Sequence, residues 1–148
     1  LTPARHFVRS CKKTLKRERI ADSGGASLTG GRLLASSLAL CRVLRRDVLA
    51  HDEANVGILP PPTVGCALAN LAVTLSGRVA VNLNYTMSEK DINYCIKDAG
   101  VRHVLTSKKL LEKKPMKLDV PFVFLEDLKE AVRSVDGLLA GIAAFAVP

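Results

Sequence analysis

The sequence predicts an α/β fold, a partial doubly wound parallel sheet with flanking helices, and three observations carry that expectation. Apolar runs of strand length recur at Val56–Leu59, Val79–Leu83, Val101–Leu105 and Pro121–Leu125. Between them lie helix-length stretches whose apolar residues step by three and four, two of which open on a capping residue, Thr63 and Ser88. Strands that alternate with helices need crossover connections, and such crossovers build parallel sheets.

Taken in order, Phe7, Val8, Cys11 and Leu15 fall at helical spacing and predict a short amphipathic helix within a basic arm, residues 1–20. The Gly- and Ser-dense stretch 21–31 predicts a hairpin turn, and Thr29 is placed to cap the next helix. That helix carries Leu33, Leu34, Leu38, Cys41 and Leu44 on one face, with Arg32, Arg42, Arg45 and Arg46 elsewhere. Pro60, Pro61 and Pro62 stop the first strand. Thr63 then opens a helix through Ala67, Leu68, Leu71 and Leu75 that closes at Gly77. Ser88 and Asp91 form a Ser-x-x-Asp variant of the capping box, and the helix they open closes at Gly100. A short basic helix is expected around Lys108–Lys114. After the fourth strand, Leu128, Val132, Val135, Leu139, Ile142 and Ala146 trace a long amphipathic helix. Residues 21–148 are thus one α/β unit, expected to be incomplete.

Length and composition suit a single globular domain, and the absence of Trp leaves its core to aliphatic residues. No apolar run approaches the roughly 20 residues of a spanning helix, and LTPARHFVRSCKK lacks the apolar stretch of a secretory signal. A cytoplasmic location follows as the expectation, with the inner face of the membrane as the alternative. The initial Leu suggests a fragment, a processed chain or an unusual start. Cys11, Cys41, Cys66 and Cys95 show no C-x-x-C pair, so reduced, inert thiols are expected rather than a metal or disulfide framework.

Charge is uneven. Arg5, Arg9, Lys12, Lys13, Lys16, Arg17 and Arg19 face Glu18 alone, so the arm supplies +6 of the net +8. A solvated linker is the first reading of such an arm, and contact with an anionic membrane surface the second. Nucleic acid ranks last, because binders of that kind add aromatics or a recognised module and only Phe7 is available.

No constellation specifies chemistry alone. The SGGASLTGG stretch lacks the Lys-Ser/Thr ending and the preceding strand of a phosphate loop, and G-x-G-x-x-G is absent. Pro60, Pro61, Pro62 and Thr63 lie at the strand-to-helix edge where open α/β sheets bind ligands, with Asn82, Asn84 and Tyr85 on the same edge. Structural roles come first for them: a rigid turn, and Asn side chains bonding to loop backbone. His6, His51 and His103 are dispersed, His103 within a strand as a satisfied core or sheet-edge residue. Glu126 and Asp127 lie at a strand-to-helix turn, Asp127 as a helix cap. No catalytic, cofactor-binding or metal residue is assigned.

Residues 27–127 resemble the N-terminal portion of the adenylate-forming ligases, which include acyl-CoA synthetases, luciferases and peptide-synthetase adenylation domains. SLTGGRLLASSLALCRVL is similar to their early helix, with Gly30 where an aromatic residue is usual. NVGILPPPTVGCALANLAVTLSGRVAVNLN and SEKDINYCIKDAGVRHVLTS resemble their following strand, turn and helix units. RVAVNLNYTMS and AGVRHVLTSKKLLEK are most similar to the acyl–acyl-carrier-protein synthetase part of bacterial proteins that also carry a phospholipid acyltransferase module.

The resemblance implies ATP- and Mg²⁺-dependent activation of a carboxylate, a fatty acid in the closest match, then thioester formation on acyl carrier protein or coenzyme A. No segment here matches the family's catalytic motifs, and the sequence stops at AAFAVP, where the Gly-rich loop is still expected ahead. The remainder of the ligase domain is the expected partner, and the isolated chain is expected to be inactive. A standalone, non-catalytic flavodoxin-like binding or scaffold module is the alternative.

Overall fold

A computed structural model describes residues 2–132. Helix α1 (Pro3–Lys13) begins at Thr2, whose hydroxyl accepts the Arg5 N–H. Its Phe7, Val8 and Cys11 pack against Leu33 and Leu34 of α2 (Gly30–Val43). The apolar face foreseen in the arm therefore exists, but Leu15 lies past the helix end and is exposed. Strands β1 (Glu18–Ala21) and β2 (Ser27–Thr29) form the expected hairpin, turned at Gly25 with φ 88°.

Gly30 sits where the resemblance puts an aromatic residue. The α1 C-terminus passes so close that a β-carbon there would overlap the Thr14 carbonyl oxygen. Thr29 caps α2 as expected, accepting the Arg32 N–H at 3.4 Å. Helix α2 is buried over more than the foreseen face, since Ala39, Leu40 and Val43 are also enclosed. It ends in a π-helical turn, Leu44–Val48, closed by the Leu49 N–H on the Leu44 carbonyl at 2.8 Å.

Four parallel strands follow: β3 (Asn55–Ile58), β4 (Val79–Asn82), β5 (Val104–Thr106) and β6 (Phe122–Phe124). Their order across the sheet is β4-β3-β5-β6. Helices α3 (Val64–Leu75), α4 (Glu89–Asp98), α5 (Lys108–Lys113) and α6 (Leu125–Val132) connect and flank them. Strand β5 starts three residues later than the apolar run predicts. His103 lies just before it, although its carbonyl still accepts the Gly57 N–H at 2.9 Å. Of the long terminal helix, Leu125–Val132 is present as α6; Val135, Leu139, Ile142 and Ala146 lie outside the described residues.

The pleat sends alternate residues to opposite faces. Val56, Ile58, Ala80, Leu105 and Val123 meet α2, α3 and α6 on one side. Leu59, Val81, Val104 and Phe122 meet α4 and α5 on the other. Gly57 faces this second layer, where a β-carbon would come within 2.9 Å of a Val104 methyl. Helices on both faces make the sheet doubly wound. Strand order reverses between β3 and β5, and such a switch point opens a crevice at the carboxyl ends of the strands.

Candidate functional site at the carboxyl edge

Two segments that the sequence keeps apart meet at this edge. The β1–β2 turn brings Asp22 to the Pro60–Thr63 junction. One carboxylate oxygen of Asp22 accepts the Gly24 and Ala26 N–H groups at 2.9 and 3.1 Å. The other reaches across 42 residues of sequence to accept the Val64 N–H, the first of α3, at 2.9 Å. These backbone bonds, Val64 foremost and then Ala26, hold the Asp22 carboxyl below its ordinary value. Thr63 accepts the Cys66 N–H at 3.2 Å. The Val64 and Cys66 donors at this helix start are thus taken by the protein itself, which favours the structural reading of both the Gly-rich turn and the proline junction. Asp22 was missed in sequence. An Asp two residues before a Gly pair is an Asx-turn signal that could have flagged the local bonds, but not the distant one.

The remaining residues of the edge are likewise engaged. Asn84 accepts the Thr86 N–H and hydroxyl, as expected of a loop Asn. Asn82 departs from expectation: it exchanges two hydrogen bonds, at 2.9 and 3.0 Å, with Asn70 of α3 rather than with loop backbone. Tyr85 offers its carbonyl to Lys114 Nζ at 2.6 Å. Asp127 does not cap α6, because the helix already starts at Leu125; its carboxylate accepts from Lys108 Nζ at 2.6 Å. Glu126 accepts the Lys108 backbone N–H at 3.1 Å, so it caps the neighbouring helix α5 together with Ser107.

Between these tethers opens a cavity of about 700 Å³, within the range of small-molecule pockets. Leu28, Leu40, Pro60, Val64, Leu68 and Leu125 form apolar walls, and Lys109, Lys113 and Lys129 stand among its lining residues. It touches the ends of β3, β5 and β6, the place the switch point predicts.

A second cavity, about 450 Å³, lies at the opposite edge beside Arg45, His51, Asp52 and Arg78. One of its two arginines is structural: Arg78 donates to the Glu53 and Ala50 carbonyls at 2.8 and 2.9 Å. Nearby, His103 Nδ1 meets Glu53, while His6 and His51 join no catalytic grouping. Cys11 and Cys41 are buried, and burial pushes both thiols up; Cys66 is raised for the same reason, and Cys95 is half-buried. Among the described residues no three His, Cys, Asp or Glu side chains converge on a metal position. No helix among them is long and apolar enough to cross a membrane.

Fold and edge together define an open, doubly wound α/β domain. The sequence profile of the AMP-binding enzyme family matches residues 7–137, and the chain belongs to that family. Solved structures agree on the fold. The N-terminal subdomain of Klebsiella oxytoca NpsA, in complex with 3-hydroxyanthranilyl-AMSN, superposes with a TM-score of 0.74 at 17% identity, over 89% of this chain and 32% of that one. The N-terminal domain of FACL13 from Mycobacterium tuberculosis gives 0.74 at 17% identity, over 90% and 36%. MenE from Bacillus subtilis, an O-succinylbenzoate coenzyme A synthetase in complex with AMP, gives 0.69 at 21% identity, over 84% and 32%. The chain spans about a third of the length of these relatives.

Proposed function

We propose that this chain is the opening α/β part of an ATP-dependent acid–thiol ligase that activates a fatty acid as its acyl-adenylate and transfers it to a pantetheine thiol. The observation that carries the reading is the family match across residues 7–137. It is supported by a solved relative, MenE, whose complex holds the acyl-adenylate OSB-AMP. The wording of RVAVNLNYTMS and AGVRHVLTSKKLLEK favours acyl carrier protein over coenzyme A as acceptor, and phospholipid metabolism as the setting. An adenylation domain fused artificially to a carrier domain, NpsA-ThdA, is also a structural relative, with a TM-score of 0.73.

ATP and Mg²⁺ belong in this reading to the whole ligase. The described residues offer no metal-ligand cluster, and the first N–H of α3 is already bonded to Asp22. They do not fit the Mg²⁺–nucleotide complex, so no catalytic step is assigned to them. The chain alone is inactive in this proposal. Residues 1–20 serve as a basic segment leading into the ligase part, residues 21–148, in the cytoplasm or at the inner membrane face. The arm's exposed cations draw it toward anionic headgroups at about 1 kcal/mol per charge near the surface.

The test is carboxylate-dependent ATP–pyrophosphate exchange, measured on this chain and on a version extended to the full length of its relatives. Exchange with fatty acids by the extended protein alone supports the proposal. Exchange by neither, or by the 148-residue chain itself, refutes it. The strand order would equally serve a standalone flavodoxin-like module, and a compact chain that binds a ligand unaided while its extension adds no activity would establish that reading.

A further inference from the structure

We propose that the cavity at the amino ends of the strands, beside Arg45, His51 and Arg78, is a binding site for a phosphate group. The ligand class is a small phosphate monoester. The site lies at the edge opposite the larger cavity and goes beyond the ligase proposal, on which it does not depend.

Three separate places in the chain supply its cationic side. Arg45 comes from the π-helical turn that ends α2, His51 from the loop after it, and Arg78 from the residue before β4. Turns of this kind are rare, and they are frequent at functional sites. The Glu53 and Ala50 carbonyls fix Arg78, but a carbonyl is a dipole and leaves the guanidinium charge unanswered. Nearby carboxylates are committed elsewhere: Asp47 to Arg46, Asp52 to Arg102 and Glu53 to His103. Among the described residues neither Arg45 nor Arg78 has a carboxylate partner. Both act on one point of α2: burial raises the Cys41 thiol, and Arg45 and then Arg78 pull it back.

The carboxyl ends of α2 and α3 answer part of this charge, at about half a unit each. Roughly one positive charge is therefore left for a ligand. Two guanidiniums on separate elements offer more donors than a single carboxylate accepts. A phosphate group has several acceptor oxygens, and forked donors match its geometry. His51 adds a ring N–H. The cavity's volume of about 450 Å³ exceeds a bare phosphate and suits one carried on a small organic group.

The experiment titrates the whole 148-residue chain with inorganic phosphate by calorimetry, and separately with acetate, at constant ionic strength and without ATP or Mg²⁺. Phosphate should bind saturably, and acetate about tenfold more weakly or worse. Arg45→Gln, at an exposed position, should weaken phosphate about tenfold, the effect of losing a charged hydrogen bond. Arg45→Lys keeps the charge without the fork and should lose less. Arg5→Gln removes the same charge from the exposed side of α1 and should leave binding unchanged. Absence of saturable phosphate binding, undiminished binding in Arg45→Gln, or an equal loss in Arg5→Gln would overturn the proposal. Vesicles of phosphatidate in phosphatidylcholine then identify the source. Displacement of bound phosphate by the vesicles assigns a lipid headgroup, no displacement assigns a soluble compound, and the site stands in both cases. Phosphate binding is read without nucleotide or fatty acid, so its failure would leave the ligase proposal untouched.

Discussion

His103 Nδ1 lies 2.9 Å from one carboxylate oxygen of Glu53 and 3.0 Å from the other, and the Glu53 side chain has no solvent exposure. A carboxylate only accepts, so in the ion pair the proton sits on Nδ1. The second support of that carboxylate is the Ala50 N–H at 3.2 Å. This pair ties the loop after α2 to the segment entering β5, across 50 residues.

Removing the imidazole leaves a buried carboxylate with one donor, and breaking a buried pair from one side costs about 3–5 kcal/mol. His103→Ala should therefore lower the unfolding free energy by about 3 kcal/mol. Urea titration would show it, and a loss under about 1 kcal/mol would mean that solvent replaces the ring through its quarter-exposed side.

Asp22 makes stability depend on acid. Its carboxyl is depressed chiefly by the Val64 N–H, so the contribution is fully present above the unfolded value near 3.8 and fades as pH falls through the lower folded value. Asp22→Asn should lower the melting temperature at neutral pH and shrink the difference from the parent below pH about 4. Parallel melting curves at every pH would contradict this.

Gly30 tests sterics against propensity. Alanine at a helical position gains up to about 1 kcal/mol over glycine, but here a β-carbon meets the Thr14 carbonyl, backbone that cannot rotate away. Overpacking of this kind costs about 1–3 kcal/mol, so Gly30→Ala should destabilise. A stabilised variant would show that α1 shifts freely.

Thr106 is buried at the end of β5, and its hydroxyl has no hydrogen-bond partner among the described residues. An orphan hydroxyl is costly to bury, and valine keeps the shape without it. Thr106→Val should stabilise by about 1 kcal/mol in denaturant titration. An unchanged or weakened protein would reveal a partner for that oxygen.

What the sequence disclosed was local. Proline stops, Thr29, Thr63 and Ser88 caps and four apolar runs are written within a few residues of one another, and each reappears in the fold. The Asp22–Val64 and His103–Glu53 bonds join residues 42 and 50 apart; only the sheet's topology sets such partners together. The same holds for Asn82, whose partner on α3 is visible only once β4 lies beneath that helix. The π-helical turn carries no Pro or Gly to announce it. Periodicity reports a single stripe on helix α2, whereas α1 and the sheet bury it from two directions.

Asp22 has a further consequence for what could ever dock at the start of α3. A carboxylate leashed to the hairpin behaves as a resident counter-ion, present locally at an effective concentration of about millimolar or more. Dissolved phosphate would have to evict it and unfasten the hairpin in the same event. The protein has in this way closed an anion hole with its own chain.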